Sequence, residues 1–80
     1  MFLHLGSNEV VRAGEIVAIL DAASPGLSGF IGTLAGRKVL HDISHGNAKS
    51  LVVAADRAFL SPISSPTLKR RLELFLCGPA

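Results

Sequence analysis

The sequence predicts an α+β fold: a small single domain, residues 1–80, with a mostly antiparallel sheet of about four to five short strands and two helices on one face. Three observations predict it. Short apolar and β-branched runs alternate with turn residues. Two segments carry apolar side chains at helical spacing. A chain of 80 residues is too short for a second domain.

The first quarter of the chain is predicted to be extended. Phe2–Leu5 and Glu9–Arg12 are strand candidates joined by the turn cluster Gly6-Ser7-Asn8. Ala13-Gly14 either interrupts the extended pattern or forms a bulge. Ile16–Leu20 is a β-branched run, which is typical of a strand buried on both faces.

The first helix is predicted over Gly26–Arg37. Ser24-Pro25 supplies an N-cap serine and a proline suited to the first helical position. An apolar stripe follows at helical spacing, formed by Leu27, Phe30, Ile31 and Leu34.

The glycines of this segment weaken a helix by up to ~1 kcal/mol each, although Gly36 also suits a C-terminal stop. They match no phosphate-binding pattern, so close packing through glycine is the favoured interpretation.

The second half of the chain is predicted to contain three strands. Lys38–Ser44 is the first, and Gly46-Asn47 forms a turn after it. Leu51–Ala55 and Ala58–Ile63 form a hairpin about Asp56-Arg57, and Pro62 marks the exit of the second strand because proline cannot donate to a central ladder.

The last predicted helix begins with Ser65-Pro66, which repeats the cap-and-proline signal. Gly78-Pro79 is expected to end it. Its apolar positions are Leu68, Leu72, Phe75 and Leu76, while Lys69, Arg70 and Arg71 point in other directions.

The composition favours a homo-oligomer without a membrane segment. Hydrophobic residues make up 49% of the chain and the mean hydropathy is +0.47, more apolar material than one small core easily hides. The longest apolar runs hold about five residues, whereas ~20 are needed to span a bilayer.

Met1–His4 lacks a signal-peptide pattern. Cys77 is the single cysteine, expected to be a small hydrophobe, and the lack of a disulfide framework fits the cytoplasm.

Enzymatic and metal chemistry are not predicted. His41 and His45 are four residues apart, but they lie in a strand-and-turn pattern without the glutamate or cysteine partners of a zinc site. The serines match no G-x-S-x-G elbow, and the carboxylates are scattered. We therefore expect no catalytic residue, no metal and no cofactor.

The basic residues offer a candidate nucleic-acid surface. The net charge is +2 and the isoelectric point about 9.2. Lys69-Arg70-Arg71 either grips phosphates or is a solvated helix face, in which Arg70 and Arg71 also offset the helix dipole. Lys49 lies beside a tight turn, where a loop held by strands can reach a groove.

Two segments resemble a known family. They are FLHLGSNEVVRAGEIVAIL and HGNAKSLVVAADRAFLSPISSPTLKRRLE. Both are similar to the bacterial extracellular matrix regulators RemA/RemB, and the second is most similar to the RemB branch. The resemblance runs from Met1 to about Leu76, and its most specific part is SPISSPTLKRR.

The resemblance implies a cytoplasmic, non-enzymatic transcriptional regulator of biofilm matrix genes that binds DNA as a ring-shaped or similar homo-oligomer. The family's basic positions lie just before the Ile-Val strand and after the histidine-glycine turn. Here they read Glu15 and Asn47-Ala48-Lys49, so Lys49 alone stays basic.

The expected DNA contacts are accordingly Lys49, Arg12, Arg37 and Lys38, with double-stranded DNA or another regulator protein as the further partner. The alternative is a self-assembling structural or protein-interaction module without DNA binding.

Overall fold

A computed structural model describes residues 2–6 and 8–76, with the backbone alone for Phe75 and Leu76. Over this range the chain forms six strands and two α-helices, which confirms the α+β prediction. The strands are β1 Phe2–Gly6, β2 Glu9–Arg12, β3 Ile16–Asp21, β4 Leu40–Asp42, β5 Ser50–Ala54 and β6 Ala58–Ser61. The helices are α1 Leu27–Gly36 and α2 Ser65–Leu76. Cys77 and the predicted stop Gly78-Pro79 lie outside the described residues.

The strands divide into two sheets. Strands β1 and β2 form an antiparallel hairpin of their own, and a 3-10 turn over Ala13–Glu15 leads from it to β3. The larger sheet has the order β3-β5-β6-β4. Strands β3, β5 and β6 are antiparallel neighbours, whereas β4 runs parallel to β6 at one edge. The sheet is therefore mostly antiparallel, and the predicted β5–β6 hairpin is present.

The two helices cover opposite faces of the larger sheet, not one face as predicted. One face carries Ile19, Val52 and Phe59, which align across β3, β5 and β6 and pack with Leu68 of α2 and with the β1–β2 hairpin. The other face carries Leu51, which packs with α1. The hairpin already shares the first face with α2, so the apolar side chains of the second face need α1 as cover.

Strand β3 is an edge strand, and the prediction that it is buried on both faces is wrong for the described chain. Only Ile19 of this strand is buried, and Val17 is 70% exposed. The ladder to β5 shifts register between Ile16 and Ala18, which places Val17 at the irregularity.

Helix α1 begins later than Ser24-Pro25 predicts. The Leu27 amide donates to the Ser24 carbonyl oxygen at 3.2 Å, and Gly26 has φ 80° and ψ −8°. Proline at the second position and a left-handed glycine at the third define a type II turn. Pro25-Gly26 is thus a turn that precedes the helix, and Ser24 provides no side-chain cap.

The glycines of α1 do not pack closely within the described chain. A Cβ atom added at Gly29, Gly32 or Gly36 would meet no atom within 4 Å. The side of the helix that faces the sheet carries Leu27, Ile31 and Leu34 instead.

Helix α1 ends at Gly36, but the left-handed residue that terminates it is Lys38, with φ 59°. The Lys38 amide donates to Ala35 O at 3.1 Å, and the Val39 amide donates to Leu34 O at 3.3 Å. These two bonds form a Schellman motif, whose left-handed position usually holds glycine.

Lys38→Gly is expected to stabilise the fold by about 1 kcal/mol, because glycine removes the steric cost of the left-handed conformation. The measurement is urea unfolding followed by circular dichroism. Lys38→Ala is the matched control, since it removes the same charge but keeps a Cβ atom, and it should give no comparable gain. Equal stability of the two variants would contradict the strain argument.

The β1–β2 hairpin is fastened to the larger sheet where β6 ends. Ser61 Oγ donates to the Leu5 carbonyl oxygen at 2.6 Å, and both side chains are buried. Gly6 has φ 108°, and a Cβ atom there would lie 3.0 Å from Pro62 Cγ. Both the backbone conformation and the closeness of Pro62 thus require glycine at this position.

No helix within residues 2–6 and 8–76 is long and apolar enough to cross a membrane.

Candidate nucleic-acid interface

The structure separates the four predicted DNA contacts into two groups. Arg12 lies at the end of β2 and precedes the start of β3, while Arg37 and Lys38 precede β4. Lys49 immediately precedes β5. Because β5 is antiparallel to β3 and β6, Lys49 lies at the opposite end of the sheet. The length of β5 alone separates the ends by roughly 13 Å, at ~3.3 Å per residue.

The end of the sheet at which β3, β4 and β6 begin is here called the basic end. It holds four basic side chains and two acidic ones: Arg12, Arg37, Lys38, Arg57, Glu15 and Asp56. Phe2, Arg12, Gly14 and Glu15 line a shallow open depression there. Glu15, which stands at a position expected to be basic, lines the same depression as Arg12 and lowers the net positive charge there.

The opposite end of the sheet holds Lys49, whose backbone is fixed by hydrogen bonds, together with two acidic residues. The Lys49 amide donates to Ser61 O at 2.9 Å, and Lys49 O accepts the Ala22 amide at 3.2 Å. Its backbone is therefore held between the ends of β3 and β6, while its side chain is exposed. The acidic residues of this end, Asp21 and Asp42, end β3 and β4.

The loop before Lys49 is shaped by consecutive left-handed residues. His45 has φ 54° and Gly46 has φ 84°, and the Asn47 amide donates to Ser44 O at 3.1 Å. Asp42 Oδ1 accepts both the Ser44 hydroxyl and, at 2.9 Å, the Ser44 amide. The side-chain bond from Ser44, followed by its backbone bond, lowers the pKa of Asp42 below its ordinary value of 3.8, and the charge of His45 adds to this.

Removal of the Asp42 carboxylate is expected to loosen this loop. In Asp42→Ala the Ser44 amide loses its acceptor, so hydrogen exchange at Ser44 and Asn47 should speed up while β5 stays protected. Asp42→Asn is the control, because its amide oxygen still accepts the bond. Unchanged exchange in Asp42→Ala would show that the turn holds its own shape.

The same loop should respond to acid. The folded-state pKa of Asp42 is depressed, so its contribution to stability is present above about pH 4 and is lost as the pH falls through the folded value. Protection of the Ser44 amide in the unsubstituted chain should therefore fall in acid only as far as that of Asp42→Asn, because a protonated carboxyl group, like the amide, still offers an oxygen that accepts the bond.

The basic triplet of α2 lies in the middle of the helix. Lys69, Arg70 and Arg71 are all exposed, as expected for a solvated face. The helix continues to Leu76, and its last turn contains no basic residue. The predicted compensation of the helix dipole by Arg70 and Arg71 is therefore wrong, since that effect is confined to the last turn.

Two residues of the interface were missed by sequence reasoning. Arg57 has no basic neighbour in the sequence, but the β5–β6 turn places it at the basic end, with its Cζ atom 5.5 Å from the centre of the Phe59 ring. Asp42 carried a usable signal, because Asp-x-Ser is typical of a turn in which the carboxylate accepts an amide two residues on.

His41 and His45 lie in different surroundings. The His41 ring stacks on Phe59 with centroids 5.4 Å apart, while His45 lies in the loop. Among the residues that the structure describes, no group of three His, Cys, Asp or Glu side chains is placed to hold a metal ion.

Comparison with known proteins identifies relatives that match most of the chain. Residues 2–72 match the RemA-like family model, described as extracellular matrix regulatory protein A-like. The chain is also 37% identical over 79 residues to extracellular matrix regulatory protein B of Bacillus subtilis strain 168, an alignment that covers 91% of each protein.

Proposed function

The chain belongs to the RemA-like family of extracellular matrix regulatory proteins, and from this premise we propose that it is a non-enzymatic transcriptional regulator that binds DNA. It acts in the cytoplasm on genes of the extracellular matrix, as a homo-oligomer. The contacts are Lys49, Arg12, Arg37 and Lys38, and they are made to phosphates more than to base edges.

The fixed position of Lys49 carries the proposal. A cation on a mobile loop would lose conformational freedom on binding, whereas the Lys49 backbone is already held by Ser61 and Ala22. Binding a phosphate therefore orders the exposed Lys49 side chain and requires no further ordering of its backbone. The basic end offers further cations, although the carboxylates of Glu15 and Asp56 reduce its net positive charge.

The separation of these cations supports an assembly. One chain presents Lys49 at one end of the sheet and the basic end, with its reduced net charge, at the other. These groups give too few phosphate contacts for tight binding. A ring or filament repeats each contact, so that weak contacts add along the DNA. Exposed apolar side chains available for self-association are Phe2, Val10 and Val17.

The test is a gel shift at low salt with duplexes of two lengths. The longest dimension of the chain is 41 Å. A duplex of about 12 base pairs has that length at ~3.4 Å per pair. We expect poor binding to this duplex, and salt-sensitive binding to a fragment many times longer. No retardation of any long fragment would overturn the proposal.

A second candidate function is a self-assembling or protein-interaction module without DNA binding, docking to another regulator protein. The observation that favours it is the outward face of the β1–β2 hairpin, where Phe2 is 58% exposed and Val10 is 46% exposed beside His4 and Arg12. An intact oligomer that retards no DNA would favour this function.

A further inference from the structure

An open groove lies at the basic end, on the face of the larger sheet that packs with α1. Its volume is about 220 Å³. One wall is formed by the exit of α1 from Leu34 to Val39, and the other wall by the β5–β6 turn. The Ala58 amide donates to Val39 O at 2.9 Å, and this bond fixes the two walls relative to each other. The groove is therefore preformed in the single chain.

The interior of the groove is apolar and incompletely covered. Leu34, Val39 and Val53 line it, and all three are only half-buried. Half-buried apolar side chains around a concave surface gain from an apolar occupant that excludes water. A cavity of about 150 Å³ is large enough for a benzene ring. The groove can thus take one aromatic side chain.

The β1–β2 hairpin presents an uncovered aromatic side chain. Phe2 is 58% exposed and stands opposite Arg12 on the outward face of the hairpin. The hairpin packs on the face of the larger sheet that carries α2, whereas the groove lies on the other face. Phe2 therefore does not line the groove of its own chain, and only a second copy can bring it there.

Charged side chains flank both surfaces in a complementary way. Arg37 and Asp56 line the groove and are exposed. Phe2 lines its shallow depression together with Arg12 and Glu15. Each surface thus combines an apolar part with one guanidinium and one carboxylate, so each charge of one surface can meet the opposite charge of the other.

Phe30 is the other described phenylalanine with a largely exposed side chain, at 43%. It lies on α1 within residues 22–36, a stretch that contains no charged residue. Insertion of Phe30 would bring no charge to Arg37 or Asp56. The charges that flank Phe2 therefore favour Phe2 as the occupant.

We infer that the groove receives Phe2 of a second copy, with Glu15 of that copy against Arg37 and Arg12 of that copy against Asp56. The contact rests on the proposed homo-oligomer and supplies its interface. Because the two surfaces differ, the contact is heterologous, and its repetition gives a ring or an open filament.

The contact also divides the cations between two tasks. Arg12 and Arg37 are shared between assembly and DNA, because they flank the groove and its occupant. Lys49 lies at the other end of the sheet and stays free for DNA in every copy.

The test is sedimentation velocity of the full chain without DNA, at about 100 µM because contacts of small area are weak. The unsubstituted chain should form species larger than its mass of 8.4 kDa. Phe2→Ser removes the inserted ring, and Ala55→Leu narrows the groove. Phe2 and Ala55 are both exposed, so the fold tolerates these changes, and each variant alone should be monomeric.

An equimolar mixture of the two variants tests the heterologous contact directly. The Phe2→Ser chain keeps an open groove and the Ala55→Leu chain keeps Phe2, so one contact can form between them. The mixture should give a 1:1 dimer and nothing larger. Leu74→Ser is the control, since it removes a similarly exposed apolar side chain, at 65%, from α2 and should sediment as the unsubstituted chain does.

An exchange of charges tests the orientation of the contact. Glu15→Arg and Arg37→Glu should each weaken association about tenfold, because like charges then face each other across the contact. The double variant with both changes should regain the affinity of the unsubstituted chain to within about twofold, since the opposite charges meet again.

Three results would overturn the inference. A mixture of Phe2→Ser and Ala55→Leu that stays monomeric would exclude a heterologous contact between these surfaces. Unchanged assembly of both variants would place the contact elsewhere and leave the proposed homo-oligomer intact. A monomeric unsubstituted chain would remove the homo-oligomer itself, and this contact with it.

Discussion

Gly6→Ala is expected to lower the free energy of unfolding by about 3 kcal/mol, since left-handed strain costs ~1–3 kcal/mol and overpacking a similar amount. At φ 108° an alanine is strained in any surroundings. Its Cβ atom would also lie 3.0 Å from Cγ and 3.2 Å from Cδ of Pro62, a rigid ring that cannot rotate away. Relief would require the hairpin to move, which would stretch the buried bond between Ser61 Oγ and Leu5 O.

Thermal unfolding followed by circular dichroism measures this loss. A decrease of about 3 kcal/mol corresponds to a melting temperature lower by roughly 12–24 °C in a domain of this size. Protein concentration must be equal for all variants, because self-association shifts the apparent stability.

Gly14→Ala is the matched control for Gly6→Ala. It adds the same methyl group in the 3-10 turn after the hairpin, where a Cβ atom meets nothing within 4 Å and φ is not positive. Its melting temperature should stay close to that of the unsubstituted chain. Equal decreases in both variants would show that the contact with Pro62 does not decide the effect.

Lys49→Glu is expected to weaken binding to long DNA on the order of tenfold to a hundredfold, because charge reversal replaces a phosphate attraction with a repulsion in every copy of the assembly. The salt dependence should change as well. The slope of log K against log salt should become shallower by about 0.9 for each phosphate that the protein no longer neutralises. Fluorescence anisotropy with a labelled long duplex measures both quantities.

The control for Lys49→Glu is Lys69→Glu, which makes the same charge reversal on the exposed face of α2. Its effect on DNA affinity should be smaller, while light scattering should give the same oligomer mass for both variants. If Lys69→Glu abolishes binding and Lys49→Glu does not, the DNA contact belongs to α2.

Local signals predicted the individual elements well. The β5–β6 hairpin needed only two apolar runs around Asp56-Arg57 and an exit at Pro62. Helix α2 starts one residue before the predicted position: Ser65 is its first residue, and Ser64, whose carbonyl oxygen accepts the Leu68 amide, holds the cap position that was predicted for Ser65. These features depend on residues within a few positions of one another. The α+β class follows from them because apolar faces must be paired.

The errors concern competing local signals and long-range packing. Ser24-Pro25 resembles a helix start, but Gly26 after the proline favours a type II turn, and the turn prevails. The run Ile16–Leu20 is as apolar as a central strand, yet no local signal reveals that β3 lies at an edge of the sheet. The distribution of helices over two faces depends likewise on the position of the hairpin.

The candidate interface was predictable in its residue types and not in its arrangement. Lys49 and the basic pairs could be identified from the sequence, but their division between opposite ends follows from the antiparallel pairing of β5 with β3 and β6. Arg57 joins the basic end because a turn returns it there, which spacing along the chain does not indicate.

The bond between Ser61 Oγ and Leu5 O joins residues 56 positions apart, and Leu68 shares its core with Leu3. During synthesis, the β1–β2 hairpin therefore lacks these packing partners until Ser61 and Leu68 have left the ribosome. Contacts of such long sequence separation also slow folding relative to a helical bundle of equal length. Shortening the chain from the C-terminal side past Leu68 would thus remove a partner on which the first strand depends.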